Sequence, residues 1–222
     1  MGTFAVAGHM RVPFPPPRMR TGSTSASGKD DRAVEVEAEP DLGDQIRDVL
    51  GAADLGCSVQ IVDEGDDLLG TGGATRLAVD QGAVGETFFL LYGDSYLPVD
   101  YAAVERAFAA ADADAMMTVF ANEGRWDTSN VVFEGGRVLR YDKHEVDPAG
   151  AGMRHIDCGL SVLRAATVRE HIAPDGPSDL AAMFHDLGEV GSLAGYETDE
   201  RFYEIGSPEG LADLASYVGA QG

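Results

Sequence analysis

An acid follows a buried strand in Thr87-Phe88-Phe89-Leu90-Leu91-Tyr92-Gly93-Asp94-Ser95. Six apolar or β-favouring residues in a row predict a strand covered on both faces, as in a parallel sheet. Gly93 lets the chain turn. Asp94 then stands at the carboxyl end of the strand, where open α/β sheets bind ligands. A carboxylate there can hold a metal, a ribose or a proton; the plainer alternative is an Asx-type turn.

Four more segments carry candidate chemistry. Leu69-Gly70-Thr71-Gly72-Gly73-Ala74 opens a helical run with glycines, so backbone can approach a flat or charged ligand and free N–H groups face an anion. It has neither the lysine of a Walker loop nor G-x-G-x-x-G spacing, and an ordinary glycine turn fits the same residues. Arg140-Tyr141-Asp142-Lys143 ends a strand. A lone loop lysine is usually just solvated, but Lys143 is one of only two lysines in an arginine-using chain, which favours a phosphate-directed point charge. In Met153–Leu160, Arg154, His155 and Asp157 read as the polar face of a strand, an ordinary outer face in the case of His155. In Phe202–Glu209, Glu204 lies near a strand end, just before a tight turn and a helix start; simple exposure would also suit it.

The elements that must position these residues alternate. Ala33–Glu37 and Cys57–Val62 read as strands and Leu42–Leu50 as a helix. Thr71–Ala83 is helical, Thr87–Tyr92 the buried strand, Tyr101–Ala111 a helix and Ala115–Phe120 a strand. Alternating strands and helices imply a largely parallel sheet. Then comes a hairpin, Val131–Phe133 and Val138–Leu139 around Gly135-Gly136. His155–Leu163, Leu193–Tyr196 and Arg201–Ile205 read as strands and Leu180–Leu187 as a short helix. Ser207 caps a terminal helix over Pro208–Val218, with proline at its first position. The expected fold class is α/β, a doubly wound, mainly parallel sheet with an inserted antiparallel section.

Residues 1–32 differ in kind. A basic, proline-rich patch (Arg11 to Arg20) precedes the linker-like TGSTSASG at 21–28. They are expected to be a disordered or non-homologous tail, with 33–222 as a single domain.

Thirty-eight acids oppose sixteen bases, a net charge of −22. Spread along the chain, the acids resemble the solvated surface of a protein adapted to high salt, where self-repulsion is screened; the plainer alternative is an acidic protein from a GC-rich genome. No basic stripe exists for nucleic acid. No apolar stretch reaches a membrane span, and the N-terminus lacks a signal-peptide pattern. Cys57 and Cys158 read as ordinary reduced residues, so the expected compartment is the cytoplasm.

The order of the five segments is more specific than any one of them. From about residue 31 to residue 218 the chain resembles the sugar-1-phosphate nucleotidyltransferases, the nucleotide-sugar pyrophosphorylases. The resemblance rests on LGTGGA (69–74), LYGDS (91–95), YDK (141–143), IDCGLSV (156–162) and YEIGSPEGL (203–211), and is strongest to mannose- or heptose-1-phosphate guanylyltransferase-like members. It implies transfer of a nucleotidyl group from a nucleoside triphosphate to a sugar 1-phosphate, with release of pyrophosphate. Gly70, Thr71, Gly72, Gly73 and Gly93 would hold the nucleotide, its base cradled by backbone around Gly72 and Gly73. Asp94 would bind Mg²⁺, with Glu204 at the position of the family's second metal-binding aspartate. Lys143 would bind the sugar phosphate, Asp142 would meet sugar hydroxyls, and Asp157 and Gly159 would line the sugar site. Homo-oligomers are common in that family, though no interface is legible here.

The chain departs from the pattern at its start. The family's first strand leads into a glycine-rich loop with arginine and a proline-lysine pair, which grips the triphosphate. No such segment is legible in residues 1–32, so the first strand is expected to be missing. A non-catalytic sugar-nucleotide-binding or regulatory protein is therefore the alternative. A GT-A-type glycosyltransferase fits less well, because Gly93-Asp94-Ser95-Tyr96 lacks paired D-x-D acids.

Overall fold

The computed structural model describes residues 3–7, 48, 59–65, 68–122, 125 and 127–220. The chain divides into two compact units, residues 1–13 with 64–222, and residues 14–63. Of the smaller unit, Asp48 is helical and residues 59–63 are irregular, so the strand expected over Cys57–Val62 is not formed at 59–62. The strand expected at Ala33–Glu37, nearly all of the helix at Leu42–Leu50, Cys57 and the boundary at 32/33 lie outside the described residues.

The larger unit is built on a buried strand, β2 (Thr87–Tyr92). Its side chains alternate between two cores. Phe88 and Leu90 enter one cluster and Phe89 the other, so the strand is apolar throughout because both faces are covered. β4 (Ala115–Ala121) divides in the same way, Met117 and Val119 to one side and Met116 to the other. The first core lies under helices α1 (Gly70–Asp80), α3 (Ala165–His171) and α4 (Leu180–Glu189). The second lies under α2 (Tyr101–Ala110), which buries Val104 and Phe108 one turn apart. Asp100 caps α2 by accepting from the Ala103 N–H at 3.1 Å. These three layers are the expected doubly wound α/β architecture.

The other strands are β1 (Thr3–Ala7), β3 (Ser95–Tyr96), β5 (Val131–Glu134), β6 (Arg137–Tyr141), β7 (His155–Arg164), β8 (Leu193–Glu197) and β9 (Tyr203–Glu204). Seven of the nine described strands, β2 and β4 included, form one sheet in the order β1-β2-β7-β4-β8-β6-β5. β1 runs parallel to β2 and β4 parallel to β8, while β7 runs antiparallel between β2 and β4. The β5–β6 hairpin turns at Gly135-Gly136, both at positive φ (58° and 79°), and completes the antiparallel section.

β1 is a correction. The first strand was expected to be missing, yet Thr3–Ala7 pairs in parallel with β2, from Thr3↔Phe88 to Ala7↔Tyr92; the rest of residues 1–32 lies outside the described residues. The sequence TFAVA is apolar and β-favouring, and the buried strand β2 offers it a parallel ladder along one side. Two smaller differences follow. Helix α3 was not expected, and the strand read over Arg201–Ile205 shortens to β9, which leaves the main sheet and pairs with β3. The terminal helix α5 (Pro208–Gly219) starts as expected, Ser207 accepting from the Gly210 N–H at 3.0 Å.

Candidate active site

A cavity of about 630 Å³ opens at the carboxyl end of β2. Its wall includes Tyr92, Gly93 and Asp94 from β2 and the following turn, Gly70 and Thr71 from the start of α1, and Tyr141 and Lys143 from the end of β6. Pro177, Ser178 and Asp179, before α4, complete it. Segments far apart in sequence thus meet where the strand order and helix starts leave a crevice.

Asp94 and Glu204 come together through β3 and β9. Ser95 pairs with Glu204 across that ladder, and Ile205 donates its N–H to the Asp94 carbonyl at 2.8 Å. A methyl placed on Gly206 would lie 3.1 Å from Glu204 Oε1 and 3.9 Å from Asp94 Oδ2, so both carboxylates border one point. Burial, then the charges of Asp94 and Asp127, raise the Glu204 carboxyl above its ordinary value. Like charges held together in this way suit a cation. Two carboxylates without a protein cage suit Mg²⁺, which keeps other positions for water and phosphate oxygens. Among the described residues no group of three or more His, Cys, Asp or Glu side chains forms such a cage.

The glycine turn is built differently from expectation. Gly72 and Gly73 are buried, and their N–H groups donate to the Ser178 carbonyl at 2.8 and 3.4 Å. Ser178 in turn donates its N–H to Leu69 at 2.8 Å. A Cβ on Gly72 would come within 2.9 Å of Ser178 Oγ, and one on Gly73 within 2.7 Å of Leu69 Cβ. These glycines serve close packing of α1 on the loop before α4; their N–H groups are not turned to a ligand. Gly70 and Thr71 line the cavity instead, at a helix start that no side chain caps.

Lys143 reaches the cavity and Asp142 does not. β6 ends at Tyr141, and Asp142 turns its side chain back to the His144 N–H across the turn at Lys143-His144, while Tyr141 and Lys143 line the cavity. Asp142 accepts from the His144 N–H at 2.9 Å and from Arg140 at 3.3 Å, contacts that hold its carboxyl below the usual range. Lys143 bonds Asp179 at 2.5 Å. Asp179 also caps α4, accepting from the Ala181 N–H at 2.9 Å, and accepts from the Thr71 hydroxyl at 3.2 Å. Partial burial pushes its carboxyl up, but Lys143, the Ala181 N–H and Thr71 together hold it below its ordinary value.

Asp157 and Gly159 sit at an irregularity in β7, where the register against β4 shifts between Met117↔Ser161 and Val119↔Asp157. Such bulges re-aim side chains beside ligand sites. Gly159 has φ +79°, and a Cβ there would lie 2.6 Å from Ser95 Oγ, so only glycine fits against the Asp94 turn. Asp157 accepts from the Gly159 N–H at 2.9 Å and from the Tyr141 hydroxyl at 3.5 Å. Burial outweighs these bonds and the charge of Lys143, and pushes its carboxyl up to about 6. Burial and the Asp157 charge raise the Tyr92 and Tyr141 hydroxyls, which stay protonated donors. Arg154 precedes β7 and is exposed, so it shares no strand face with Asp157. His155 pairs with Glu197 at 3.0 Å, the ordinary role expected for it. Cys158 is a buried free thiol, raised by burial and by the Asp157 charge.

Sequence reasoning missed Tyr92, Tyr141, Ser178 and Asp179. Tyr92 and Tyr141 each close a strand, a position that already marked Asp94. Asp179 reads in sequence as a helix cap and nothing more.

No protein-family model and no curated protein sequence matches the chain. Solved structures do match in fold. HddC from Yersinia pseudotuberculosis, complexed with GMP-PN, aligns with a TM-score of 0.63 over 80% of this chain and 75% of that one, at 20% identity. The inositol-1-phosphate CTP transferase from T. maritima gives a TM-score of 0.62 over 80% and 73%, also at 20% identity. UTP-bound UGPase from Acinetobacter baumannii gives 0.57 over 81% and 66%, at 17% identity. The chain therefore has the α/β fold of solved nucleotidyltransferases. Among the described residues no helix is long and apolar enough to cross a membrane.

Proposed function

We propose that this protein transfers a nucleotidyl group from a nucleoside triphosphate to a sugar 1-phosphate, releasing pyrophosphate. The observation that carries the reading is the meeting of Asp94, with Glu204 beside it, and Lys143 around one cavity at the start of α1. The fold shared with the CTP transferase and UGPase structures supports the same reaction class.

In the reaction an oxygen of the sugar phosphate attacks the α-phosphorus of the triphosphate. One P–O bond forms as the bond to the β-phosphate oxygen breaks, and the electron pair leaves with pyrophosphate. Several negative charges converge, so catalysis consists of positioning and charge neutralisation. Lys143 holds the attacking phosphate as a point charge. The uncapped start of α1 offers the N–H groups of Gly70 and Thr71 to the nucleotide. Asp94 and Glu204 would hold Mg²⁺, which when bound supplies positive charge between the reacting phosphates. Tyr92 and Tyr141 close the cavity on the sugar side, and Asp157, off the cavity wall, accepts from the Tyr141 hydroxyl behind it.

The protein is read as a cytoplasmic enzyme working at high salt, where its net charge of −22 repels anionic substrates least. ³¹P NMR of the protein with Mg²⁺, a triphosphate and a sugar 1-phosphate tests the reading. A diester signal should grow in step with pyrophosphate; hydrolysis to the monophosphate alone would contradict transfer.

One observation favours a second reading, binding of nucleotide sugar without transfer. The segment after β1 carries Pro15-Pro16-Pro17 and a Ser/Gly-rich run, with no glycine-rich loop bearing arginine and a proline-lysine pair. The absence of pyrophosphate release, with nucleotide-sugar binding retained, would favour it.

A further inference from the structure

The two carboxylate oxygens of Asp179 are held differently. Oδ1 accepts from the Ala181 N–H at 2.9 Å and from the Thr71 hydroxyl at 3.2 Å. Among the described residues, Oδ2 meets only the Lys143 ammonium, at 2.5 Å. Oδ1 is therefore fixed by its capping bond to α4 and by the Thr71 hydroxyl of α1 whether or not the lysine stays. The Lys143 bond is the exchangeable one. Its side chains are 37% and 50% exposed, and ion pairs in contact with solvent contribute little.

A phosphate dianion entering the cavity competes for Lys143. When it succeeds, Asp179 keeps its position and is left with one acceptor oxygen unpaired beside the phosphate. An ionised carboxylate accepts and cannot donate, so the group that satisfies Oδ2 must bring N–H or O–H. A bare phosphate brings negative charge instead. A phosphate attached to a polyhydroxylated ring brings hydroxyls at the right side of the molecule. Asp142, the acid that the sequence resemblance gives to sugar hydroxyls, is engaged by Arg140 and the His144 N–H and lies off the cavity wall.

We propose that Asp179, in place of Asp142, is the specificity-determining carboxylate, exchanging its Lys143 partner for ring hydroxyls and so selecting polyol phosphates over bare phosphate. The inference rests on the nucleotidyl-transfer reading and deepens it by naming what discriminates the acceptor. Asp179 disfavours any anion that takes its lysine, and only hydroxyls compensate. Removing its charge must therefore move the two kinds of ligand in opposite directions.

The test is calorimetric titration of the full chain and of Asp179→Asn with inorganic phosphate, glucose 1-phosphate and mannose 1-phosphate. Asparagine caps a helix as well as aspartate and keeps the Ala181 contact. Asp179→Ser, a second uncharged cap, repeats the test if the first variant folds poorly. Inorganic phosphate should bind about threefold tighter to the variant, through loss of the neighbouring charge. The sugar phosphate that the wild type prefers should bind roughly tenfold weaker, through loss of a charge-assisted hydrogen bond. Weakening of both ligands would reduce Asp179 to an orienter of Lys143 and overturn the proposal. Tightening of both would leave it a mere repulsive neighbour and overturn the proposal as well. The opposed shifts appearing in Asp142→Asn instead would overturn the assignment. A wild type that binds sugar phosphate, with an unchanged preference in the variant, sinks this inference alone. A wild type that binds neither phosphate nor sugar phosphate sinks the nucleotidyl-transfer reading and this inference with it.

Discussion

Ile205 donates its backbone N–H to the carbonyl of Asp94 at 2.8 Å, and that bond fastens the turn after β9 to the end of the buried strand β2. It sets Glu204, one residue earlier, against Ser95 and beside Asp94. Two carboxylates more than a hundred positions apart in sequence are thereby held around one point. The repulsion between them is the cost of the arrangement, and a bound divalent cation would relieve it.

Asp94→Asn should lower turnover by about 100-fold or more while leaving the fold intact, because charge placed at the reacting phosphates is typically worth that much. Steady-state kinetics across a Mg²⁺ titration checks this. Full activity in Asp94→Asn would remove Asp94 from the metal site.

Lys143→Met should reduce kcat/KM for the sugar phosphate roughly 100-fold and change KM for the triphosphate little, if Lys143 holds the acceptor phosphate as proposed. Lys143→Arg should restore only part of the loss, because a planar guanidinium does not replace a compact ammonium. Equal losses for both substrates would contradict the division of the cavity.

Gly159→Ala should destabilise the protein by about 2–3 kcal/mol, from the positive φ and from crowding of Ser95. Urea unfolding of wild type and variant measures it. A change below about 0.5 kcal/mol would mean that the Asp94 turn yields freely.

Asp157 gives the stability a pH signature. Its folded carboxyl is raised from 3.8 to about 6, so between those values the folded state holds the proton more tightly than the unfolded chain. Its contribution is most favourable below the unfolded value and is lost as pH rises through about 6. Asp157→Asn should therefore gain on the wild type from about pH 4 to pH 7, by at most about 3 kcal/mol. Thermal melts of both proteins over that range test the sign. A wild type that gains on the variant as pH rises would contradict the buried-carboxyl account.

Part of this was legible in the sequence and part was not, for physical reasons. The strand Thr87–Tyr92, the hairpin at Gly135-Gly136 and the Ser207-Pro208 cap are local signals, and each holds in the structure. The placement of β1 depends on a partner more than eighty residues away, and its proline-rich surroundings hide it. The antiparallel course of β7 is likewise a matter of pairing, because direction leaves no mark on composition. Asp142 and Lys143 are neighbours in sequence, but the turn after β6 separates them, Asp142 accepting from the His144 N–H while Lys143 lines the cavity. Asp179 joins Thr71 and Lys143 only through tertiary contacts, and nothing around it in sequence says so.

The measurement closest to the central claim is pyrophosphate release from GTP, dTTP or UTP with Mg²⁺ and a panel of sugar 1-phosphates, at molar salt. The account predicts release matched by nucleotide sugar for at least one pair, and its loss in Asp94→Asn. No turnover with any pair, alongside measurable binding of a nucleotide sugar, would contradict it.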